Sequence, residues 1–104
     1  DSFTDRVIQC ALAIPKGKVT TYGRIARAAG AGPMASQSVT NILGKAYQQG
    51  IKKIPFHRIV YADGRIWVDD SIRSERMKLY KKEGIGIDSK DRIENFADIL
   101  FEFR

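Results

Sequence analysis

Glycine and proline divide the first half of this 104-residue sequence into short segments. The breaks fall at 15–17 and at 30–33, and both combine Pro with Gly, residues that end helices and begin turns. Between the breaks, apolar residues recur at the three- and four-residue spacing of amphipathic helices. The sequence therefore predicts three compact helices in this half of the chain.

The first two predicted helices have clear start signals. Ser2 begins the first helix, and Asp5 completes a capping box with a short acidic side chain. The segment 18–21 is a short extended link, and Thr21 at its end caps a second helix over 22–29.

The third predicted helix covers 36–47, is capped by Ser36, and has two distinct faces. Its buried stripe consists of Val39, Ile42, Leu43 and Ala46. Its outward residues are polar and include no acid: Gln37, Ser38, Thr40, Asn41 and Lys45. Two helices joined by a glycine-containing turn, with small polar side chains on the second, are typical of a helix-turn-helix that approaches a DNA groove. Ser36 and the outward residues are therefore predicted DNA contacts.

The second half of the sequence contains a strong turn signal at Asp63-Gly64. The apolar residues at 59–60 and 66–68 flank this turn, which predicts a β-hairpin that would form a wing.

A further helix is expected over 72–83, with Ser71 as its cap and Gly84 as its stop. Apolar residues near the end of the chain predict a final segment that returns to the core. The predicted fold class is mainly α with a small β-hairpin, a winged helix-turn-helix. A chain of this length buries one modest core, so we expect a single domain over 1–104.

The charges are distributed unevenly along the chain, whose net charge is +6. No acid occurs between Asp5 and Asp63, whereas that stretch contains nine bases. These bases are Arg6, Lys16, Lys18, Arg24, Arg27, Lys45, Lys52, Lys53 and Arg58. An acid-free basic surface attracts polyanions through release of their counterions. Charge alone leaves two interpretations open, a nucleic-acid partner or a solvated basic face.

Several classes of function are excluded by composition. The single cysteine, Cys10, cannot form an internal disulfide, and with His57 as the only histidine we expect neither a metal site nor a cofactor. Cys10 lies on the apolar stripe of the first helix, so its expected role is structural. No apolar run of membrane-spanning length and no signal peptide is present, which predicts an intracellular protein, cytoplasmic or nuclear. The first residue, Asp1, is compatible with a domain excised from a longer chain.

Three blocks of sequence, in the right order, resemble the O6-alkylguanine-DNA alkyltransferase family. Residues 55–60 read Pro-Phe-His-Arg-Ile-Val, similar to the family signature Pro-Cys-His-Arg-Val-Val. Residues 17–23 resemble its Gly-x-Val-x-x-Tyr-Gly motif, and residues 82–85, Lys-Glu-Gly-Ile, resemble the end of its closing helix. The resemblance implies a domain that binds double-stranded DNA and rotates an alkylated guanine into a pocket.

The resemblance also assigns roles to individual residues. It implies a lesion pocket that consists of Tyr22, Phe56, His57, Arg58 and Glu83. It implies DNA contacts at Thr21 and Tyr22, where the start of the second helix would approach a phosphate. Arg58 is expected to tie the signature to the recognition helix, and Tyr61 and Trp67 are expected to be packing residues.

Phe56 stands where the family has the cysteine that accepts the alkyl group. A phenyl ring has no lone pair and no ionisable proton, so alkyl transfer at this position is excluded and no enzymatic activity is expected. This pattern resembles the alkyltransferase-like proteins, which bind alkylated DNA without repairing it. Two further departures are Gln37, where the family has an arginine, and Asp69, near which several alkyltransferase-like proteins carry a base.

Several functions remain open at this stage. The ring of Phe56 can stack against an extruded base, or it can fill the pocket with core. The first predicts a sensor of O6-alkylguanine that hands the lesion to another repair protein. The second predicts a plain DNA-binding module. A third alternative is a DNA-targeting domain fused to a catalytic partner such as a repair nuclease, and Phe56 argues against a fourth, an active methyltransferase.

Overall fold

The computed structural model describes residues 2–103, and its helices account for most of the regular structure. The helices are α1 (Phe3–Leu12), α2 (Tyr22–Ala28), α3 (Ser36–Gln48), α4 (Arg73–Lys82) and α5 (Phe96–Ile99). The strands are β1 (Thr20–Thr21) and β2 (Ile59–Val60), and short 3-10 turns cover Pro33–Ala35 and Phe56–Arg58. The predicted class, mainly α with a small sheet, is confirmed.

The first two helices begin where the sequence predicts. The Asp5 amide donates to Ser2 Oγ at 3.1 Å, and the Ser2 amide donates to Asp5 Oδ2 at 3.4 Å, so the capping box is confirmed. Thr21 caps α2 through a hydrogen bond of 3.2 Å from the Arg24 amide to its Oγ1. These bonds satisfy amide groups that have no partner inside the helix.

The start of α3 differs from the prediction that Ser36 is its cap. Ser36 is the first helical residue, and Ala35 at the cap position makes no side-chain capping bond. The 3-10 turn over Pro33–Ala35 already winds the chain, with the Ala35 amide bonded to the Gly32 carbonyl at 3.0 Å. The helix therefore continues from a turn rather than beginning at a polar cap.

The predicted hairpin between 59–60 and 66–68 is wrong. Its turn forms, with the Tyr61 amide bonded to the Arg65 carbonyl at 3.0 Å, and Gly64 supplies the required positive φ of +86°. However, β2 pairs in parallel with β1, with Thr20 opposite Ile59.

The segment after the turn pairs with a later part of the chain. The Ile66 amide donates to the Asp91 carbonyl at 2.9 Å, and the Ile93 amide donates to the Gly64 carbonyl at 2.9 Å. Both isoleucines are buried in the same cluster, so burial of their side chains determines the pairing.

The predicted cap of α4 is also wrong. Asp69, not Ser71, accepts the bonds: its Oδ1 atom receives the amides of Ser71 and Ile72 at 2.9 and 3.2 Å. The helix ends as predicted at Gly84, which has a φ of +73°. The Asp69 carboxylate satisfies amide groups near the start of α4 and complements the helix dipole.

None of the helices within residues 2–103 is long and apolar enough to cross a membrane.

Two buried clusters lie on either side of the small sheet. One joins α1, α2 and α3 and contains Val7, Ala11, Ile14, Ile25, Ala26, Ala29, Val39, Leu43, Ala46, Ile54 and Ile59. The other contains Val19, Val60, Ile66, Tyr80, Ile85 and Ile93. The end of the chain returns to the sheet as predicted, because the Val19 amide bonds to the Ile99 carbonyl at 3.0 Å. Phe56 in the turn at 56–58 packs against the first cluster, and Tyr80 of the second cluster donates its hydroxyl to the His57 carbonyl at 2.7 Å, so the turn contacts both clusters.

Candidate nucleic-acid interface

An open pocket of about 490 Å³ lies where the starts of α2 and α3 meet the turn at 56–58, the loop after β2 and α4. Its lining residues are Tyr22, Ser36, Gln37, Thr40, Gly44, Phe56, Tyr61, Trp67 and Arg76. Four of them are aromatic, and those from α3 are small or polar. A cleft of this size, with flat apolar walls and a few polar groups, suits a planar ring such as a nucleobase.

Phe56 lies on the pocket wall and leaves the pocket open. It is partly buried against the first core cluster, and its ring forms a T-shaped pair with the Tyr47 ring at a centroid distance of 5.7 Å. Tyr22 and Tyr61 form a second aromatic wall, with ring centroids 6.4 Å apart and tilted by 50°. Phe56 therefore lines an open pocket and does not fill it, in contrast to the alternative in which its ring becomes part of the core.

Glu83 collects several hydrogen bonds behind the pocket wall. Its Oε2 lies 2.6 Å from Nε2 of His57 and 2.8 Å from Nη2 of Arg58. Its Oε1 accepts bonds of 3.0 Å from Nε of Arg58 and from the Gly17 amide. Burial alone would raise the pKa of Glu83, but these hydrogen bonds lower it from 4.5 to about 2. We call Glu83, His57 and Arg58 the Glu83 cluster.

His57 is neutral at physiological pH. Burial lowers its pKa below 6.5 by more than the hydrogen bond and charge of Glu83 raise it. Since Glu83 is ionised, Nε2 of His57 carries the proton and donates it in the shared bond. The Tyr80 hydroxyl donates to the His57 carbonyl at 2.7 Å, which fixes the backbone of the turn to α4.

Three of the predicted lesion-pocket residues do not line the pocket. Tyr22 and Phe56 line it, whereas His57, Arg58 and Glu83 lie behind it in the Glu83 cluster. The expectation that Arg58 ties the signature to the recognition helix α3 is wrong. Arg58 bonds to Glu83 at the end of α4 and, through Nη1, to the Ile14 carbonyl at 2.9 Å.

The predicted DNA contacts, apart from Thr21, divide into two groups. Those that line the pocket are Ser36, Gln37, Thr40 and Tyr22. Those exposed elsewhere on α3 are Ser38, Asn41 and Lys45, the last two of which border a separate groove beside α1. Thr21 belongs to neither group, because its side chain is buried and caps α2. The role of Thr21 in this fold is to shape the helix start.

Sequence reasoning missed part of the pocket wall. Tyr61 and Trp67, predicted as packing residues, both line the pocket, and 47% of the Trp67 surface is exposed. The signal for them was their position beside the predicted turn. Arg76 and Gly44 also line the pocket, and nothing in the local sequence distinguishes Arg76 from the other bases of α4.

The basic half of the chain remains largely available to a partner. Exposed bases from this half are Lys16, Lys18, Arg27, Lys45, Lys52 and Lys53. Arg24 forms an ion pair with Glu102 at 3.1 Å, and Arg58 pairs with Glu83. Lys52 lies 4.0 Å above the Tyr47 ring, close to the wall that carries Phe56.

Within residues 2–103, no cluster of His, Cys, Asp and Glu side chains is arranged to hold a metal ion.

Comparisons with known proteins agree with this architecture. Residues 2–85 match the family described as 6-O-methylguanine DNA methyltransferase, DNA binding domain. The chain is 35% identical over 94 residues to a DNA base-flipping protein of Escherichia coli, and the match covers 90% of this chain and 70% of that protein. A DNA base-flipping protein of Vibrio parahaemolyticus is 30% identical over 93 residues, with 89% of this chain and 90% of that protein covered.

Solved structures show the same relationship. Atl1 of S. pombe, in complex with damaged DNA that contains O6-carboxymethylguanine, gives a TM-score of 0.73 at 25% identity, and the match covers 97% of this chain and 95% of that one. The O6-methylguanine methyltransferase of Mycobacterium tuberculosis gives 0.60 at 27% identity, over 80% of this chain and 48% of that one. The helix pair, the pocket and these matches define a DNA-binding domain of the alkyltransferase type. The chain belongs to the 6-O-methylguanine DNA methyltransferase family through that family's DNA-binding domain.

Proposed function

We propose that this domain binds double-stranded DNA, receives an extruded O6-alkylguanine in its pocket, and supports DNA repair without transferring the alkyl group. The observation that carries the proposal is the position of Phe56. Its ring lies on the wall of an open pocket, at the place in the sequence where the family signature has its acceptor cysteine.

The pocket wall is suited to hold a flat base. Phe56, Tyr22, Tyr61 and Trp67 offer aromatic surfaces, and stacking of a base on an aromatic ring is worth about 1 to 3 kcal/mol. Gln37 and Thr40 add hydrogen-bonding groups at the same edge of the pocket. Such a wall favours a base that has left the stack of the DNA duplex. Extrusion of a base from the duplex costs least energy when that base is damaged.

Alkyl transfer is absent for a chemical reason. Phe56 offers only ring carbons to the pocket, so no thiolate is available to accept the alkyl group. Cys10 does not replace it, because it lies on α1, packs against the first core cluster and has a pKa raised by burial. In the absence of a nucleophile, the Glu83 cluster serves to hold the turn at 56–58 against α4.

The DNA surface extends from the pocket along α3. Polar side chains at Ser38, Asn41 and Lys45 lie on its exposed face, and exposed bases elsewhere in the first half add positive charge. Phosphate contacts of this kind orient a protein on DNA without reading its sequence. The specificity of the domain would then come from the pocket.

We also propose that the domain passes the lesion to a second repair component, either a separate protein or a fused domain such as a nuclease. A domain that recognises damage but has no nucleophile must leave the chemistry to a partner. It would act wherever the DNA is, in the bacterial nucleoid or in the nucleus.

The test is the affinity for two duplexes that differ only in guanine or O6-methylguanine at one position, measured over a salt series together with an assay for methyl transfer. We expect salt-dependent binding to both, a preference of about tenfold or more for the lesion, and no transfer. Equal affinity for both duplexes would reduce the domain to a plain DNA-binding module, and any transfer would overturn the argument from Phe56.

A further inference from the structure

Met34 is almost completely exposed, unlike the other large apolar side chains among the described residues. Its relative exposure is 96%, and the next most exposed of these side chains, Trp67, reaches 47%. The chain has one other methionine, Met77, which is partly buried against the second core cluster. Met34 therefore adds little to the packing of the domain, and its side chain is available to a partner.

The backbone that carries Met34 is held in place on its α2 side. Just before the turn at 33–35, the Ala31 amide donates to the Ala26 carbonyl at 2.9 Å. Nε of Arg6 on α1 donates to the Ala29 carbonyl at 2.8 Å. The exposed side chain thus projects from a turn whose support is bonded to two helices.

Met34 lies next to the mouth of the pocket. It stands two residues before Ser36 and three before Gln37, both of which line the pocket. The Cα atoms of Met34 and Ser36 are at most about 7 Å apart, roughly the length of two base steps along a DNA strand. A duplex that places one base in the pocket would therefore bring the neighbouring bases of its stack within reach of Met34.

The chemistry around Met34 suits bases better than phosphates. The segment 28–44 contains no charged residue, so Met34 has no adjacent cation with which to attract a phosphate. A methionine side chain is unbranched, flexible and polarizable, and it adapts to irregular apolar surfaces. Apolar side chains that enter a DNA groove can insert between base steps and fill the space between them.

We propose that Met34 is an apolar wedge, a side chain that enters the base stack beside the extruded nucleotide and fills part of the space that this nucleotide leaves. The inference rests on the proposed function, because it requires a base to leave the stack. The wedge has its full contact area only when that space exists. Met34 therefore favours the complex with an extruded base over the complex with an intact duplex.

The direct test is NMR of the protein labelled with 13C at the methionine methyl groups, which gives two resonances, from Met34 and Met77. Met34→Leu removes one resonance and so assigns both. A methyl group that lies against the face of a base is shifted upfield by the ring current. At saturation with an O6-methylguanine duplex we expect a clear upfield shift for Met34, a much smaller one with the matched guanine duplex, and little change for Met77.

Affinities of variants test the same role independently. Met34→Ala should weaken binding of the O6-methylguanine duplex about tenfold and binding of the guanine duplex less than about twofold. Its slope of log affinity against log salt should equal that of wild type, because no phosphate contact is lost. Met34→Leu keeps apolar bulk and should stay within about threefold of wild type on both duplexes.

Leu12→Ala is the matched control, since Leu12 is an exposed apolar residue on α1 that does not line the pocket. It should change neither affinity. Thermal unfolding verifies that each variant is folded, and Met34→Ala should unfold close to the wild-type temperature because its side chain is exposed.

The possible outcomes separate the two proposals. If wild type binds both duplexes equally, the proposed function fails and the wedge fails with it. If wild type prefers the lesion but the Met34 resonance does not move, or moves equally with both duplexes, only the wedge is overturned. Equal weakening of both duplexes by Met34→Ala would also overturn it, because Met34 would then contact DNA whether or not a base has left the stack.

Discussion

Nε2 of His57 lies 2.6 Å from Oε2 of Glu83, directly behind the turn that carries Phe56. The same carboxylate receives the side chain of Arg58, so one buried acid joins the turn to the end of α4. In the resemblance to alkyltransferases these positions assist a cysteine. In this chain their contact positions an aromatic ring at the pocket wall, and it contributes to stability independently of any chemistry.

Replacement of Glu83 by glutamine should strongly destabilise the fold. The variant keeps the shape of the side chain but leaves the Arg58 guanidinium, whose side chain is only 19% exposed, without its counter-charge. Removal of one partner of a buried ion pair costs about 3 kcal/mol. Urea unfolding measures the change, and Glu75→Gln, at an exposed position on α4, should cost less than about 0.5 kcal/mol. Similar costs for the two variants would contradict the structural role of the Glu83 cluster.

The stabilisation from Glu83 should depend on pH in a defined direction. Its pKa is lower in the folded protein, about 2, than the usual 4.5, so the folded state favours the ionised carboxylate. The contribution is complete above about pH 5 and is lost as the pH falls toward 2. The difference in unfolding free energy between wild type and Glu83→Gln, measured from pH 7 to pH 2.5, should therefore shrink on acidification. A difference that grows at low pH would have the wrong sign.

Phe56 should contribute to lesion affinity and much less to general DNA affinity. Phe56→Ala removes the aromatic surface, so the affinity for an O6-methylguanine duplex should fall about tenfold or more, while the affinity for the unmodified duplex stays within about twofold. Phe56→Leu keeps an apolar side chain without a flat ring and should also lose most of the preference. If the leucine variant binds the lesion as tightly as wild type, bulk rather than stacking is the property that matters. Fluorescence anisotropy with labelled duplexes provides both affinities.

Gln37→Arg should strengthen DNA binding, because the new base lies at the pocket edge on the first turn of α3. One added phosphate contact makes the dependence of log affinity on log salt steeper by about 0.9. Ser38→Arg is the matched control, since Ser38 is exposed on the same turn but does not line the pocket. Both variants should steepen the salt dependence, and only Gln37→Arg should also raise the preference for the lesion. The same gain from both would assign the effect to charge alone.

Local signals in the sequence predicted most of the helical half. The capping box of Ser2 and Asp5, the cap at Thr21 and the stop at Gly84 are interactions within a few residues, so the amino-acid types determine them. The turn at Gly64 was predicted for the same reason. The pairing of the segment that follows it was not, because the Ile66 amide bonds to the carbonyl of Asp91, which lies far along the chain.

The site was predictable only in part. The sequence motifs identified Phe56 and Tyr22, which line the pocket, and they assigned Glu83, His57 and Arg58 to the same site. Motif adjacency could not show that the latter three face away from the pocket. The entry of Arg76 into the wall depends on how α4 packs, which no local pattern of charges on α4 reveals.

The central claim, that the damaged base leaves the duplex and enters the pocket beside Phe56, can be tested with 2-aminopurine placed next to O6-methylguanine. The emission of 2-aminopurine rises when a neighbouring base no longer stacks on it. At saturating wild-type protein we predict a clear rise for the lesion duplex, little change for the matched guanine duplex, and a smaller rise with saturating Phe56→Ala. Saturated binding of the lesion duplex with no change in emission would contradict the account, because the lesion would then be recognised while it remains stacked.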